Sequence, residues 1–219
     1  METRRPPNSS LVLASGSPRR QQLLAAMGLS FTVTVPHVDE SVGADEAPLD
    51  VATRLCIAKA CAAAKQHQKG IIIAADTLVV LDGEILGKPI NADHAVDMLT
   101  RLRNRQHQVH TGLAMLDAAT QRLRQDVVTT IVCMRNYKDD ELYHYVTGGD
   151  PFDKAGSYAI QHDAFHPVAA IMGCYTNVVG LPVCRLFEFL CDWKVPVPIP
   201  PPAQCLISDT LCGWPRERN

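Results

Sequence analysis

The run Ser15-Gly16-Ser17-Pro18-Arg19-Arg20 follows a short apolar stretch, Leu11–Ala14. It leads into residues whose leucines, Leu23 and Leu24, and Met27 fall at helical spacing, closed by Gly28. A buried strand, a small-residue loop and a helix start present backbone N–H groups to an anion. Two arginines at that point add forked donors suited to phosphate oxygens. Cations at a helix N-terminus oppose the macrodipole, so their placement argues for a ligand; the plain alternative is a solvated basic turn. The G-x-x-x-x-G-K spacing of a P-loop is absent.

Two carboxylates stand out. Asp76 follows the β-branched run Ile71–Ala75, which reads as a strand stopping at Asp76. A carboxylate just past a strand sits where open α/β sheets bind ligands; a lone Asp there also caps turns. Glu40 lies in the acidic loop Pro36–Pro48. Together they could hold Mg²⁺ or Mn²⁺, which take oxygen ligands and leave room for water and phosphate. Lys88, between Gly87 and Pro89, has a restrained backbone and could neutralise phosphate charge. Lys59, on an Ala-rich helical stretch, reads by itself as a snorkelling surface lysine. Gln161, in Asp153–Gln161, offers an amide that donates and accepts, which suits a base edge. Asn177 reads as a turn residue and the apolar remainder of Gly173–Pro182 as packing.

The elements that must position these residues alternate early and run together as strands in the middle, which predicts an α/β fold with a mixed sheet. Strands are expected at Leu11–Ala14, Phe31–Val35, Ile71–Ala75 and Leu78–Leu81, the last joined to Ile85–Leu86 through the hairpin signal Asp82-Gly83. Two long strands follow, His107–Leu116 and Leu123–Met134, and a strand or strand-like turn at Val178–Val183. Helices are expected over Arg19–Met27, Leu49–Gln66, Ala92–Leu102, Asp139–Val146 and Cys184–Trp193. The chain divides into a flexible N-terminus (1–10), one globular domain (11–194) and a Pro-rich tail (195–219) that begins as polyproline II.

Composition narrows the class. A net charge of −2 gives no broad footprint for nucleic acid. No apolar run reaches the roughly 18 residues that span a bilayer, and Arg4 and Arg5 are not followed by a signal-peptide core. The eight cysteines form no C-x-x-C pair, read mostly as small buried hydrophobes, and suit a reducing cytoplasm. The eight histidines show no metal-binding spacing and read as surface or satisfied core residues.

The stretches LVLASGSPRRQQLL, AADTLVVLDGEILGKP, FDKAGSYAIQ and YTNVVGLP, in this order from Leu11 to Pro182, resemble the Maf family of nucleotide pyrophosphatases. The resemblance implies an elongated mixed sheet flanked by helices, two lobes with a central cleft, and often a homodimer. It implies hydrolysis of a nucleoside triphosphate between the α- and β-phosphates with a divalent cation (Mg²⁺, Mn²⁺ or Co²⁺). The branch it indicates acts on dTTP and UTP. By the same resemblance Asp76 is catalytic and, with Glu40, binds the metal. Ser15, Arg19, Lys59 and Lys88 bind the substrate's phosphates, and Arg20, Thr77 and Gln161 select the base. Whether Asp76 takes the proton from water, ligates the metal or does both stays open. Family members usually continue the Ile-Gln pair with Gly, whereas here His162-Asp163-Ala164 follow, so a differently shaped loop is expected beyond Gln161. Two alternatives stand beside this reading: a pyrophosphatase for modified purine nucleotides such as 7-methyl-GTP, and a nucleotide-binding regulatory protein with little turnover.

Overall fold

The computed structural model describes residues 10–201. The expectations for the N-terminal residues 1–9, for the tail beyond residue 201, and for Cys205 and Cys212 therefore lie outside the described residues. Seven strands form one mixed sheet in the order β2-β1-β3-β5-β6-β7, with β4 paired to β3. They are β1 (Leu11–Leu13), β2 (Phe31–Val33), β3 (Ile71–Leu81), β4 (Glu84–Leu86), β5 (Gln106–Asp117), β6 (Leu123–Met134) and β7 (Val168–Met172). The helices are α1 (Pro18–Ala26), α2 (Pro48–Ala64), α3 (Ala92–Leu102), α4 (Asp139–Thr147), α5 (Tyr175–Val179) and α6 (Val183–Asp192). The contacts divide into two compact units, and β3, β5 and β6 each contribute residues to both.

One unit takes residues 10–76, 112–127 and 183–201. In it β1 pairs in parallel with β2 (Leu11↔Phe31) and with β3 (Leu11↔Ile71). The turn that ends α1 needs a left-handed residue, and Gly28 supplies it at φ +72°. The small face of α2 (Cys56, Ala60 and Ala63) packs on the sheet against Val12, Ile72, Ala74 and Ala114. Contact is closest at Gly112, where an added Cβ would stand 2.2 Å from the Ala52 carbonyl oxygen. Small residues thus set α2 close to the sheet, within side-chain reach of β3. The first residues of the Pro-rich segment return to α1: Ile199 N–H donates to the Met27 carbonyl at 3.0 Å.

The second unit takes residues 77–111 and 128–182. Its core joins Val79, Leu99, Val109, Val132, Tyr145 and Phe165, among others. The Asp82-Gly83 hairpin forms as expected, with φ of 52° and 85° and Leu81 opposite Glu84. β7 runs antiparallel to β6. His107 is 3% exposed, its Nε2 lies 2.8 Å from the Tyr158 hydroxyl, and its Nδ1 is buried with no hydrogen-bond partner among the described residues. Burial lowers its pKa to about 4. The unfolded chain therefore binds this proton below about 6.5 while the folded chain resists it until about 4, so acid favours unfolding. Stability to urea is expected to fall by on the order of 3 kcal/mol between those pH values through this residue. His107→Gln should flatten that slope; an unchanged slope assigns the loss to other groups.

The structure corrects several expectations. β3 does not stop at Asp76 but continues to Leu81, because Thr77-Leu78-Val79-Val80 are themselves good strand formers and nothing there breaks the ladder. Val178–Val183 is no strand: α5 ends at Val179, Gly180 turns the chain at φ 120°, and α6 starts at Val183. β7 was not foreseen. Of the six described cysteines only Cys56 and Cys184 are buried, while Cys61 and Cys191 are exposed; all six are free thiols. No helix among the described residues is long and apolar enough to cross a membrane.

Candidate active site

The strand–loop–helix at Ser15–Arg20 forms as the sequence predicts. Ser17 is the N-cap of α1, Pro18 opens the helix, and no acidic residue stands in its first turn. Ser15, 6% exposed, accepts from the Ser17 N–H at 3.2 Å and from Arg20 Nη1 at 3.2 Å. Its hydroxyl thus braces the loop and fixes the Arg20 guanidinium. Burial pulls the Arg20 pKa below its ordinary value, with the charges of Asp76 and Glu40 pulling it back. Arg20 therefore lies within the field of both carboxylates. The side chain of Arg19, half-buried on the same turn, makes no hydrogen bond or ion pair among the described residues.

Lys59 is no surface lysine. Its Nζ pairs with Glu40 Oε1 at 2.7 Å and with Asp76 Oδ1. The exposures are unequal: side chains of Lys59 and Asp76 keep 12% and 11%, that of Glu40 keeps 60%. Sequence reasoning missed Arg54, which anchors the loop following Glu40. Arg54 grips Glu46 with Nε at 2.6 Å and Nη2 at 2.7 Å, and Nη2 also donates to the Ser41 carbonyl at 2.9 Å. The Arg54 hydrogen bonds hold the Glu46 carboxyl below the usual range. The available signal was an arginine five residues before Lys59 on a helix that follows an acidic loop. Beside Asp76, burial pushes the Cys56 thiol up to about 12, so it stays protonated and is no nucleophile.

Glu40 and Asp76 reach one ammonium and so set two hard oxygen donors around one cationic centre. That donor set fits a divalent ion that completes its shell with water and phosphate oxygens. Among the described residues no group of three or more His, Cys, Asp or Glu gathers, so the fit is to such a shared shell and not to an all-protein cage.

The remaining predicted residues belong to the second unit. Successive strand residues point to opposite faces, so Asp76 turns toward α2 while Thr77 turns its hydroxyl to Thr111 on β5, at 3.0 Å. Lys88 is exposed just beyond β4. The carbonyl of the preceding Gly87 accepts from the Gly156 N–H at 3.0 Å. Gly156 has φ +68°, and an added Cβ would lie 2.8 Å from Val79 Cγ1, so only glycine fits there. Buried Lys154 is satisfied by the Asp150 carbonyl, by Asp150 Oδ1 at 3.0 Å and by Asp153 Oδ1 at 2.5 Å. Gln161 is exposed in a turn closed by His162 N–H to the Ala159 carbonyl at 3.3 Å. His162 caps the next turn, its Nδ1 accepting from Phe165 N–H at 2.9 Å, with its ring edge-on to Tyr145.

In the first unit, then, the loops that follow the carboxyl ends of β1 and β2 bring Arg20 and Glu40 toward Asp76, which stands within β3; the crevice at the carboxyl ends of parallel strands is where open α/β sheets bind their ligands. The fold and this cluster define an α/β protein with a charged ligand site. The chain belongs to the Maf-like protein family, whose profile matches residues 10–193. It is similar to the dTTP/UTP pyrophosphatase of Geobacter metallireducens, with 46% identity over 185 residues, 84% of this chain and 96% of that protein. The dTTP/UTP pyrophosphatase of Citrifermentans bemidjiense is 44% identical over 183 residues, 84% of this chain and 95% of that one. That of Dictyoglomus turgidum is 42% identical over 181 residues, 82% and 94% of the two chains.

Proposed function

We propose that this chain is a hydrolase that splits dTTP and UTP between the α- and β-phosphates, releasing the monophosphate and pyrophosphate. The family and the relatives' shared activity support it, and the observation that carries it is Lys59 held between Asp76 and Glu40. Lys59, Arg19 and Lys88 neutralise the phosphates, the developing charge being what catalysis must stabilise. Ser15 and the loop N–H groups bind the same anion, and the Ser15 hydroxyl holds Arg20 in place. Asp76 orients the attacking water and draws off its proton as the bond to the pyrophosphate leaving group breaks. Glu40 and Asp76 also hold the divalent cation, Mg²⁺, Mn²⁺ or Co²⁺, which when bound supplies charge neutralisation and Lewis acidity at the phosphates. Arg20, Thr77 and Gln161 select the nucleotide.

The test is a nucleotide panel with each of the three cations, reading pyrophosphate and monophosphate. Equal amounts of the two from dTTP and UTP are expected; release of orthophosphate overturns the proposed bond. Gln161→Ala should leave the melting curve nearly unchanged, because the residue is exposed. It should change the preference among nucleotides by about tenfold, the worth of one good hydrogen bond. An unchanged preference places base reading elsewhere. A homodimer in the cytoplasm completes the proposal. Light scattering checks the first part, and the free thiols of the described cysteines accord with the second.

A further inference from the structure

Thr111 and Asn177 are both 0% exposed. Thr111 Oγ1 donates to the Asn177 backbone carbonyl at 3.0 Å. A carbonyl carries no proton, so the single O–H of Thr111 is committed there. Thr77 Oγ1 lies 3.0 Å from Thr111 Oγ1. With the Thr111 proton already used, the hydrogen between the two hydroxyls belongs to Thr77. Any further partner of the Thr77 oxygen must then be a donor, because only lone pairs remain to it.

The carbonyl at the end of this relay cannot swing away. It also accepts the Gly180 N–H at 3.0 Å. The Asn177 side chain is pinned as well, its Nδ2 donating to the Val109 carbonyl at 3.1 Å and to Thr130 Oγ1 at 3.0 Å. Thr130 in turn donates to the Cys174 carbonyl at 3.2 Å. The face is the relevant one too. Val79 stands two residues beyond Thr77 and so points the same way, and it is Val79 that Gly156 crosses, in the segment leading to Gln161.

We infer that Thr111 and Asn177 are positioning residues that hold the Thr77 hydroxyl as a hydrogen-bond acceptor, so that the site takes bases presenting a ring N–H, uracil and thymine, over cytosine. Cytosine offers a lone pair at the corresponding ring nitrogen, and two acceptors facing each other leave both unsatisfied. The inference rests on the reading of Thr77 as a residue that meets the base.

The test compares kcat and KM for UTP and CTP in Thr77→Val, Thr111→Val and Thr111→Ser, with melting curves alongside. Thr111→Val should lower the UTP-to-CTP ratio of kcat/KM by about tenfold or more. The change should lie in KM, with kcat for UTP within about twofold. Thr111→Ser, which keeps the hydroxyl, should retain the wild-type ratio, a rescue that loss of packing alone would not give. Thr77→Val should also lower the ratio, and adding Thr111→Val to it should change nothing more. If Thr77→Val acts but Thr111→Val does not, the relay is overturned while the reading of Thr77 stands. If Thr77→Val leaves the ratio untouched, that reading fails and takes the inference with it. Should Thr111→Val not fold, Thr111→Cys, nearly the same size with a weaker hydrogen-bonding group, serves in its place.

Discussion

Asp76→Asn is expected to cut pyrophosphate release about a thousandfold or more while the protein stays folded. The substitution keeps the shape of the side chain and leaves the backbone ladder of β3 alone. It does remove a charge that Lys59 faces, but Lys59 keeps Glu40 at 2.7 Å. No buried cation is stranded, so the melting midpoint should move by only a few degrees. What disappears is an anionic oxygen that can draw a proton from water and share a divalent ion, and a neutral amide does neither. The measurement is pyrophosphate release at saturating UTP beside a thermal melt. Wild-type turnover in a folded Asp76→Asn protein removes Asp76 from the reaction and with it the reading of this cluster as catalytic.

Much of the architecture was legible because local chemistry and global position agreed. The Ser15–Arg20 loop, the Asp82-Gly83 hairpin and α3 each carry their own signal in turn residues, caps or period. The Asp76 strand was misjudged because a charge inside an apolar run looks like a terminus. In the fold its partner Lys59 comes from a helix seventeen residues upstream, and no local pattern shows that. Lys59 itself looked like a solvated side chain, since burial is decided by how closely the small face of α2 lies on the sheet. The segment around Val178 misled for the opposite reason. Its β-branched pair suggests a strand, but α5 is only five residues long, too short for a helical period to show. Thr111 left no signal, and Asn177 read only as a turn residue, because a buried polar residue is recognisable only once its partners are placed. The two units also differ in kind. In the first, Glu40 and Asp76 converge on Lys59, whereas Thr77, Lys88 and Gln161 in the second are ordered by backbone and hydroxyl contacts that sequence spacing does not encode.

Lys59→Met is expected to lower kcat/KM about a hundredfold and, unlike Asp76→Asn, to cost stability, on the order of 3 kcal/mol. The asymmetry follows from exposure. Deprived of the ammonium, Glu40 can turn its largely exposed carboxylate into water, but Asp76, with 11% of its side chain exposed, cannot. Lys59→Arg should not restore activity, since a planar fork does not fit between two carboxylates arranged around a point charge. The decisive comparison is the double variant Lys59→Met/Asp76→Asn. Removing the stranded carboxylate as well should recover most of the lost stability while the enzyme stays inactive, because a missing pair costs far less than half of one. Urea midpoints of the four proteins complete the cycle. A double variant less stable than Lys59→Met alone would mean that the two side chains contribute independently, and that the Lys59–Asp76 contact is not what holds the acid in place.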